Sequence, residues 1–174
     1  IAKIMGGKPV IMKSTAKDGW KLTPEILRSS YNSSCKILFL NNGCNPTGII
    51  YSRNELKALM DLVHELGLTV ISDEVYSSLV YTDDEYVSCG SFTEYKDDII
   101  VVQSASKSFA MTGWRVGFVM ARKDIIEVLS ALSTQSTTGV SLIVQHGAIG
   151  AFEHADEITT DVRVAMKRRR DVMM

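Results

Sequence analysis

The sequence has few of the residues that mark secreted or fibrous proteins. Of its 174 residues, only three are prolines and three are cysteines, Cys35, Cys44 and Cys89. An odd number of widely spaced cysteines argues against a disulfide framework and against a cysteine-rich zinc site. We therefore expect a protein of a reducing compartment, and the cytoplasm fits best.

The chain also lacks an excess of charge and a long apolar run. Nineteen Lys and Arg residues face twenty Asp and Glu residues, which leaves a net charge of -1. Such a balance creates no field that would attract nucleic acid or an anionic membrane. No apolar run approaches the roughly 20 residues that cross a bilayer, and we expect no signal peptide. The three histidines are far apart, so no metal site is expected.

What the sequence does contain is short apolar runs that alternate with amphipathic stretches. The runs predict strands at residues 8–13, 36–41, 68–72, 99–102 and 116–120. Helices are predicted at Thr23-Pro24 and beyond, from Ser52 to Gly67, and over 123–135, 141–152 and 156 onward. This alternation predicts an α/β fold, a three-layer α/β/α sandwich with a mostly parallel sheet.

The helix from Ser52 has the clearest signals of start, face and end. Glu55 follows Ser52 by three residues, the spacing of a capping box. The apolar residues then recur at helical spacing, which predicts one buried face. They are Leu56, Leu59, Met60, Val63 and Leu66, and Gly67 is placed to end the helix.

Polar motifs follow the predicted strands or lie between them. Each has an ordinary explanation: a turn, a solvated strand end or a surface lysine. Together they form a dense set, and parallel α/β sheets gather functional groups at the carboxyl ends of their strands. The motifs are Asn45-Pro46-Thr47-Gly48, Ser72-Asp73-Glu74-Val75-Tyr76, Ser104-Ala105-Ser106-Lys107 and Gly113-Trp114-Arg115-Val116-Gly117.

These motifs resemble those of the class I aminotransferases, enzymes of the pyridoxal-phosphate (PLP) fold type I. The resemblance runs over nearly the whole chain. It implies that residues 1–152 are part of the PLP-binding large domain and that 153–174 begin the helix leading to a C-terminal small domain. It also implies a homodimer in the full-length protein.

The resemblance implies a role for each residue that matches the family. Lys107 holds PLP as a Schiff base and, once freed, acts as the base that moves the α-proton. Asp73 keeps the ring nitrogen protonated, because an adjacent carboxylate favours the charged form. Asn45 and Tyr76 donate hydrogen bonds to the phenolic oxygen of the ring. Glu74 alternates with Asp73 across the strand, so its role is structural.

The phosphate of PLP needs hydroxyl donors and a forked cation. Arg115 matches the cation, since a guanidinium gives two parallel hydrogen bonds to phosphate oxygens. Ser104 matches the hydroxyl, and Ser106 could assist. Lys107, Asp73 and Tyr76 are thus the expected catalytic residues, and Asn45 joins the serines and Arg115 in binding the cofactor.

The expected function is transamination between an L-amino acid, of the aspartate or aromatic class, and a 2-oxo acid by a ping-pong mechanism. Two alternatives share the fold: a PLP-dependent C–S lyase or synthase, in which histidine often replaces Tyr76, and a PLP-binding regulatory module. A fourth reading is a soluble α/β domain with chance matches. A transamination assay on the full-length protein separates enzyme from sensor.

Relatives carry further parts of the site outside the region matched here. These are a glycine-containing turn at a helix N-terminus that grips the phosphate, an aromatic residue that stacks on the ring, and an arginine that binds the substrate carboxylate. We therefore expect the chain alone to be inactive, to bind PLP weakly at most and to leave apolar surface exposed.

Overall fold

A computed structural model describes residues 2–174, which form an open four-stranded sheet. Its strands are Ile37–Asn41 (β1), Thr69–Asp73 (β2), Ile99–Ser104 (β3) and Gly117–Met120 (β4), and they lie side by side in that order. The first three strands are parallel and β4 runs antiparallel to β3. The predicted α/β class with a mostly parallel sheet is confirmed.

Five of the six helices agree with the sequence prediction to within about two residues at their ends, whereas the short helix at Ala105–Ser108 was not predicted. The six are Pro24–Ser30 (α1), Arg53–Glu65 (α2), Ala105–Ser108 (α3), Lys123–Ser136 (α4), Leu142–Glu153 (α5) and Ala155–Met173 (α6). Single 3₁₀ turns occupy Ala16–Asp18, Cys89–Ser91 and Thr112–Trp114, and a longer 3₁₀ segment occupies Thr93–Asp98. Within residues 2–174, no helix combines the length and apolarity needed to span a bilayer.

The strand predicted at residues 8–13 is wrong. That stretch has no regular secondary structure and lies along the surface. Val10 is 46% exposed and Ile11 74% exposed. A strand is stable only beside another strand, and an apolar run that finds no partner does not become one.

The main core lies between α2 and the strands β1 and β2. Its buried residues include Leu38, Leu40 and Val70 from the strands and Leu56, Leu59, Met60 and Val63 from α2. Each of the four α2 side chains is at most 1% exposed. Full burial of such a side chain contributes about 1.5–3 kcal/mol, so this face holds α2 against β1 and β2.

A second, smaller cluster joins α3, β4 and α5. Ala105 of α3 and Ala148 of α5 are buried in it, together with Met111 and Val116 from the loop before β4 and Ala151 of α5. The Phe152 ring meets those of Phe109 and Phe118 edge to face, each with centroids 5.1 Å apart. This cluster holds the short helix that carries Lys107.

Candidate active site

Parallel strands bring three chain segments to one edge of the sheet. In the register of β1 and β2, Asn41 lies opposite Asp73, and Asp73 lies opposite Val102 of β3. The backbone pairing continues past the strand ends, since Asn42 N–H donates to Asp73 O at 3.1 Å and Glu74 N–H donates to Val102 O at 3.0 Å. The chain segments that carry the predicted site residues therefore leave β1, β2 and β3 side by side.

Asp73 ends β2 with its side chain half-buried. Its Oδ1 accepts a 3.3 Å hydrogen bond from the backbone N–H of Val75, which orients the carboxylate. Among residues 2–174, no Lys, Arg or His nitrogen lies within 4 Å of this carboxylate. Asp73 is therefore a fixed negative charge available to a cationic ligand group.

Tyr76 and Asn45 come from different loops and meet at this edge. Asn45 Nδ2 donates to the Tyr76 hydroxyl at 3.3 Å. The turn before Asn45 approaches Tyr76 closely, because a Cβ on Gly43 would lie 3.2 Å from the Tyr76 Cβ. Gly43 also has φ +81°, a conformation that favours glycine. An amide and a phenol are thus held together beyond the ends of β1 and β2.

Lys107 lies in α3, directly after β3. The N-cap is Ser104, whose hydroxyl accepts from Ser106 N–H at 3.1 Å, and Ala105 N–H donates to Val116 O at 3.2 Å. The Lys107 ammonium lies 5.7 Å from the centroid of the Tyr76 ring, within the range of a cation–π contact. It forms no ion pair with a carboxylate of the described residues.

Arg115 occupies the loop that leads into β4. Its backbone is left-handed with φ +55°, and one guanidinium nitrogen donates to Thr112 O at 3.0 Å. The Thr112 hydroxyl in turn donates to Ser106 O at 3.0 Å, which ties the loop to α3. Within the described chain Arg115 makes no direct hydrogen bond to Ser104 or Ser106. The residues predicted to bind the phosphate are linked instead through Thr112, which bonds with the Arg115 side chain and with the backbone of Ser106.

A sequence model of the family described as aminotransferase class I and II matches residues 1–174. The chain belongs to the class I and II aminotransferase family. The aspartate aminotransferase of Bacillus subtilis (strain 168) is 33% identical over 168 residues, which are 96% of this chain and 43% of that protein.

Solved aminotransferase structures share the fold of this chain. The aromatic aminotransferase from Pyrococcus horikoshii OT3 is similar with a TM-score of 0.94 at 33% identity, over 99% of this chain and 46% of that one. The Thermus thermophilus aspartate aminotransferase with maleate has a TM-score of 0.91 at 33% identity, over 97% and 44% of the two chains. The fold type I architecture is confirmed, and the chain spans less than half the length of these relatives.

Behind the site of this aminotransferase chain lies a buried polar residue that sequence reasoning missed. Asn42 is fully buried, its Nδ2 donates to Val87 O at 2.7 Å, and its Oδ1 accepts from Tyr51 N–H at 3.1 Å. The Tyr86 hydroxyl donates to Asn42 O at 3.1 Å. The available signal was an Asn directly after an apolar strand, but the sequence reads equally well as the start of a turn.

The structural role predicted for Glu74 is confirmed. The residue is fully buried, and its Oε1 accepts from the Ser72 hydroxyl at 2.8 Å and from Cys89 N–H at 2.9 Å. Burial, and then the negative charge of Glu74, raise the pKa of Tyr86. Burial also raises the pKa of Cys89 to about 11. Asp73 and Glu74, adjacent in sequence, thus have separate surroundings.

Within residues 2–174 the structure contains no group of three or more His, Cys, Asp or Glu side chains placed to hold a metal ion. The polar groups gathered at the sheet edge are instead a carboxylate, an amide, a phenol, hydroxyls and two cations. This combination suits an organic anion with a basic ring and a carbonyl.

Proposed function

We propose that the whole protein transfers an amino group between an L-amino acid and a 2-oxo acid, with PLP held at Lys107. The observation that carries the proposal is the meeting of Lys107, Asp73 and the Asn45–Tyr76 pair at adjoining strand ends, with no carboxylate of residues 2–174 paired to the lysine. Membership of the class I and II aminotransferase family supports the same reaction.

The residues at the sheet edge fit the ring of PLP. A pyridine nitrogen stays protonated beside a carboxylate, and Asp73 has no cation of the described chain to neutralise it. The phenolic oxygen of the ring accepts hydrogen bonds, and the Asn45 amide and the Tyr76 hydroxyl are donors 3.3 Å apart. Asp73 is therefore assigned to the ring nitrogen, and Asn45 and Tyr76 to the phenolic oxygen.

The donor set also fits a phosphate. Arg115 has five N–H donors, and within the described residues it uses one nitrogen, for Thr112 O. The Ser104 hydroxyl donates to Val116 O at 3.3 Å, a long bond that a phosphate oxygen could replace. The Ser106 hydroxyl donates to no residue of the described chain. The three side chains are therefore assigned to the phosphate, with Ser106 the hydroxyl that needs no rearrangement.

Lys107 is assigned both the attachment of the cofactor and the transfer of a proton. When bound, PLP supplies a carbonyl that condenses with amines and a ring that accepts electron density. The amine of Lys107, half-buried above the Tyr76 ring, is a base that can take the proton from the substrate α-carbon and return it elsewhere. Tyr76 lies beneath this amine and orients it.

The substrate class is proposed from the relatives. Curated relatives include aspartate aminotransferases and an aspartate/prephenate aminotransferase, and the solved structures include an aromatic aminotransferase. We assign an aspartate-like or aromatic amino acid, a cytoplasmic homodimer, a large-domain segment at 1–152 and a linking helix from residue 153. The 174-residue chain alone is assigned no turnover, since it spans 43% of the Bacillus subtilis enzyme.

Covalent trapping tests the attachment site. The product of the complete gene is incubated with PLP, reduced with borohydride and mapped by peptide mass spectrometry, beside Lys107→Ala and the control Lys123→Ala. Lys123 is 91% exposed on α4 and should matter little. One adduct at Lys107, lost in Lys107→Ala alone, is the expected result. Adducts at other lysines but never at Lys107 would refute the assignment.

A steady-state assay then tests the reaction. The complete protein with aspartate or an aromatic amino acid and 2-oxoglutarate should form glutamate, and Lys107→Ala should not. A protein that attaches PLP at Lys107 but transfers no amino group to any of several 2-oxo acids would be a lyase, a synthase or a sensor instead.

A further inference from the structure

Two side-chain hydrogen bonds bracket the segment that carries Ser104, Ser106 and Lys107. On one side, the Ser77 hydroxyl lies 3.2 Å from Nε2 and 3.4 Å from Oε1 of Gln103, the residue before Ser104. On the other side, the Ser78 hydroxyl donates to the Ser108 hydroxyl at 2.9 Å. Ser108 directly follows Lys107. We name these four residues, Ser77, Ser78, Gln103 and Ser108, the hydroxyl clamp.

The partners in these two bonds, Ser77 and Ser78, directly follow Tyr76 in the chain. Ser77 N–H donates to Glu74 O at 3.0 Å, and Leu79 N–H donates to Tyr76 O at 2.9 Å, so the turn after β2 is held by its own backbone. The clamp therefore joins an ordered turn next to Asp73 and Tyr76 to the segment of Lys107. All four clamp side chains are half-buried, where water competes less for the bonds.

The helix α3, which carries Lys107, requires contacts with other segments to stay ordered. The helix α3 is a single turn of four residues, closed by Phe109 N–H to Ala105 O at 3.1 Å. One helical turn is unstable by itself. Lys107 also has a long flexible side chain, which loses much rotamer freedom when it is held in one place.

We propose that Ser78 and Ser108 are positioning residues that set the Lys107 amine over Tyr76, an inference that rests on the proposed function. Their bond fixes the distance between the turn of Tyr76 and the turn of Lys107. Neither serine is assigned a contact with the cofactor, so the effect is transmitted through Lys107. Reactions between held groups are sensitive to small displacements, so the rate of attachment at Lys107 reports on this bond.

The experiment compares a ligand that attaches to Lys107 with one that cannot. PLP carries the aldehyde needed for attachment, whereas pyridoxamine phosphate has an amine there and binds without attachment. Ser78→Ala, Ser108→Ala and the double variant are made in the complete protein. The control is Ser29→Ala on α1, whose exposed hydroxyl donates to Ile26 O at 3.0 Å.

Removal of one neutral hydrogen bond costs about 1 kcal/mol, which corresponds to about a fivefold change in an equilibrium or rate constant. We expect each single variant to slow borohydride-trapped attachment at Lys107 by about that factor, while the affinity for pyridoxamine phosphate changes less than twofold. The double variant should be no slower than either single variant, because both remove the same bond. Ser108→Thr keeps a hydroxyl and should restore most of the rate.

Unchanged attachment in Ser78→Ala and Ser108→Ala would overturn the proposal. So would an equal loss in attachment and in pyridoxamine phosphate affinity with a lower melting temperature, which is what a purely structural serine gives. Failure of the proposed function looks different, since the unmutated protein would then carry no adduct at Lys107.

Discussion

Two helices of nearly equal length, one in each half of the chain, differ in how they are packed. The helix α2 has 13 residues and buries five of them, whereas α4 has 14 residues and buries none. Both were predicted as helices, and α2 was predicted from the periodicity of its apolar residues. The difference shows that periodicity specifies a helix and a face, while a partner surface decides how much that face stabilises the fold.

The same contrast extends to the strands. Val70 of β2 lies in the core with no exposed surface, but Val119 and Met120 of β4 are 41% and 53% exposed. Of the groups assigned to the ring, Asp73 and Tyr76 are half-buried at the end of the well-packed strand β2, whereas Asn45 lies on an exposed turn. Arg115, assigned to the phosphate, precedes the more exposed strand.

The largest expected effect is on the free energy of unfolding, and a matched pair of leucine truncations tests it. Leu59 of α2 is fully buried, and Leu59→Ala should lower the free energy of unfolding by about 2–5 kcal/mol, since it leaves a cavity. Leu132 of α4 is 58% exposed, and Leu132→Ala should change the free energy by less than about 0.5 kcal/mol. Urea unfolding followed by far-UV circular dichroism measures both.

Equal losses for the two variants would break the comparison between α2 and α4. They would mean that α4 is covered by a surface as apolar as the one beneath α2. A loss confined to Leu59→Ala would show that the packed region around β1 and β2 carries the stability of the chain.

The sequence was sufficient for those parts of the fold and the site that depend on local patterns. The Ser52 capping box, the apolar face of α2 and the groups after β2 and β3 can all be recognised within about fifteen residues. The strand at 8–13 could not be judged in this way, because strands depend on a partner that local patterns do not show. The apolar run was present, but no strand of the described part of the chain lies beside it.

Contacts between loops were also beyond local reasoning. Asn42 bonds with Val87, 45 residues away, and the Ser78–Ser108 bond spans 30 residues. Serine and asparagine near strand ends are usual in turns, so their types alone do not distinguish a buried connection from a solvated loop. The sheet must be assembled before such pairs are visible.

A smaller effect on the free energy of unfolding is expected when the capping serine of α2 or of α5 is replaced by alanine. Ser52 caps α2 in a reciprocal box. Its hydroxyl accepts from Glu55 N–H at 3.4 Å, and Glu55 Oε2 accepts from Ser52 N–H at 2.7 Å and from the Ser52 hydroxyl at 2.8 Å. Ser141 caps α5 through one bond of 3.5 Å from Val144 N–H. Ser52→Ala should cost about 1 kcal/mol of unfolding free energy and Ser141→Ala half of that or less, by the same urea titration.

A larger cost for Ser141→Ala than for Ser52→Ala would reverse the order of the two regions. It would mean that the start of α5 is part of the cooperative core. Ser52→Thr, which retains a capping hydroxyl, should recover most of the stability and so separates capping from a general effect of substitution.

The smallest effect concerns pH and the ion pair that attaches Lys21 to α2. Burial acts to raise the pKa of Glu55, but the hydrogen bonds from Lys21 and from the Ser52 backbone outweigh it, and the pKa is lowered. A carboxylate with a lowered pKa in the folded state stabilises the fold above its unfolded pKa, and this contribution is lost as pH falls through the folded value.

The unfolding free energy should therefore fall as the pH drops below the ordinary glutamate pKa of 4.5. Glu55→Gln should reduce the total fall by less than about 1 kcal/mol, since the carboxylate is 43% exposed. The matched control is Glu127→Gln in α4, where the carboxylate lies 3.8 Å from Lys123 and the two side chains are 66% and 91% exposed. Solvent screens that pair almost completely, so its removal should leave the acid slope unchanged. If Glu127→Gln flattened the slope as much as Glu55→Gln, charge pairs would not distinguish α2 from α4, and the contrast between them would rest on apolar burial and capping alone.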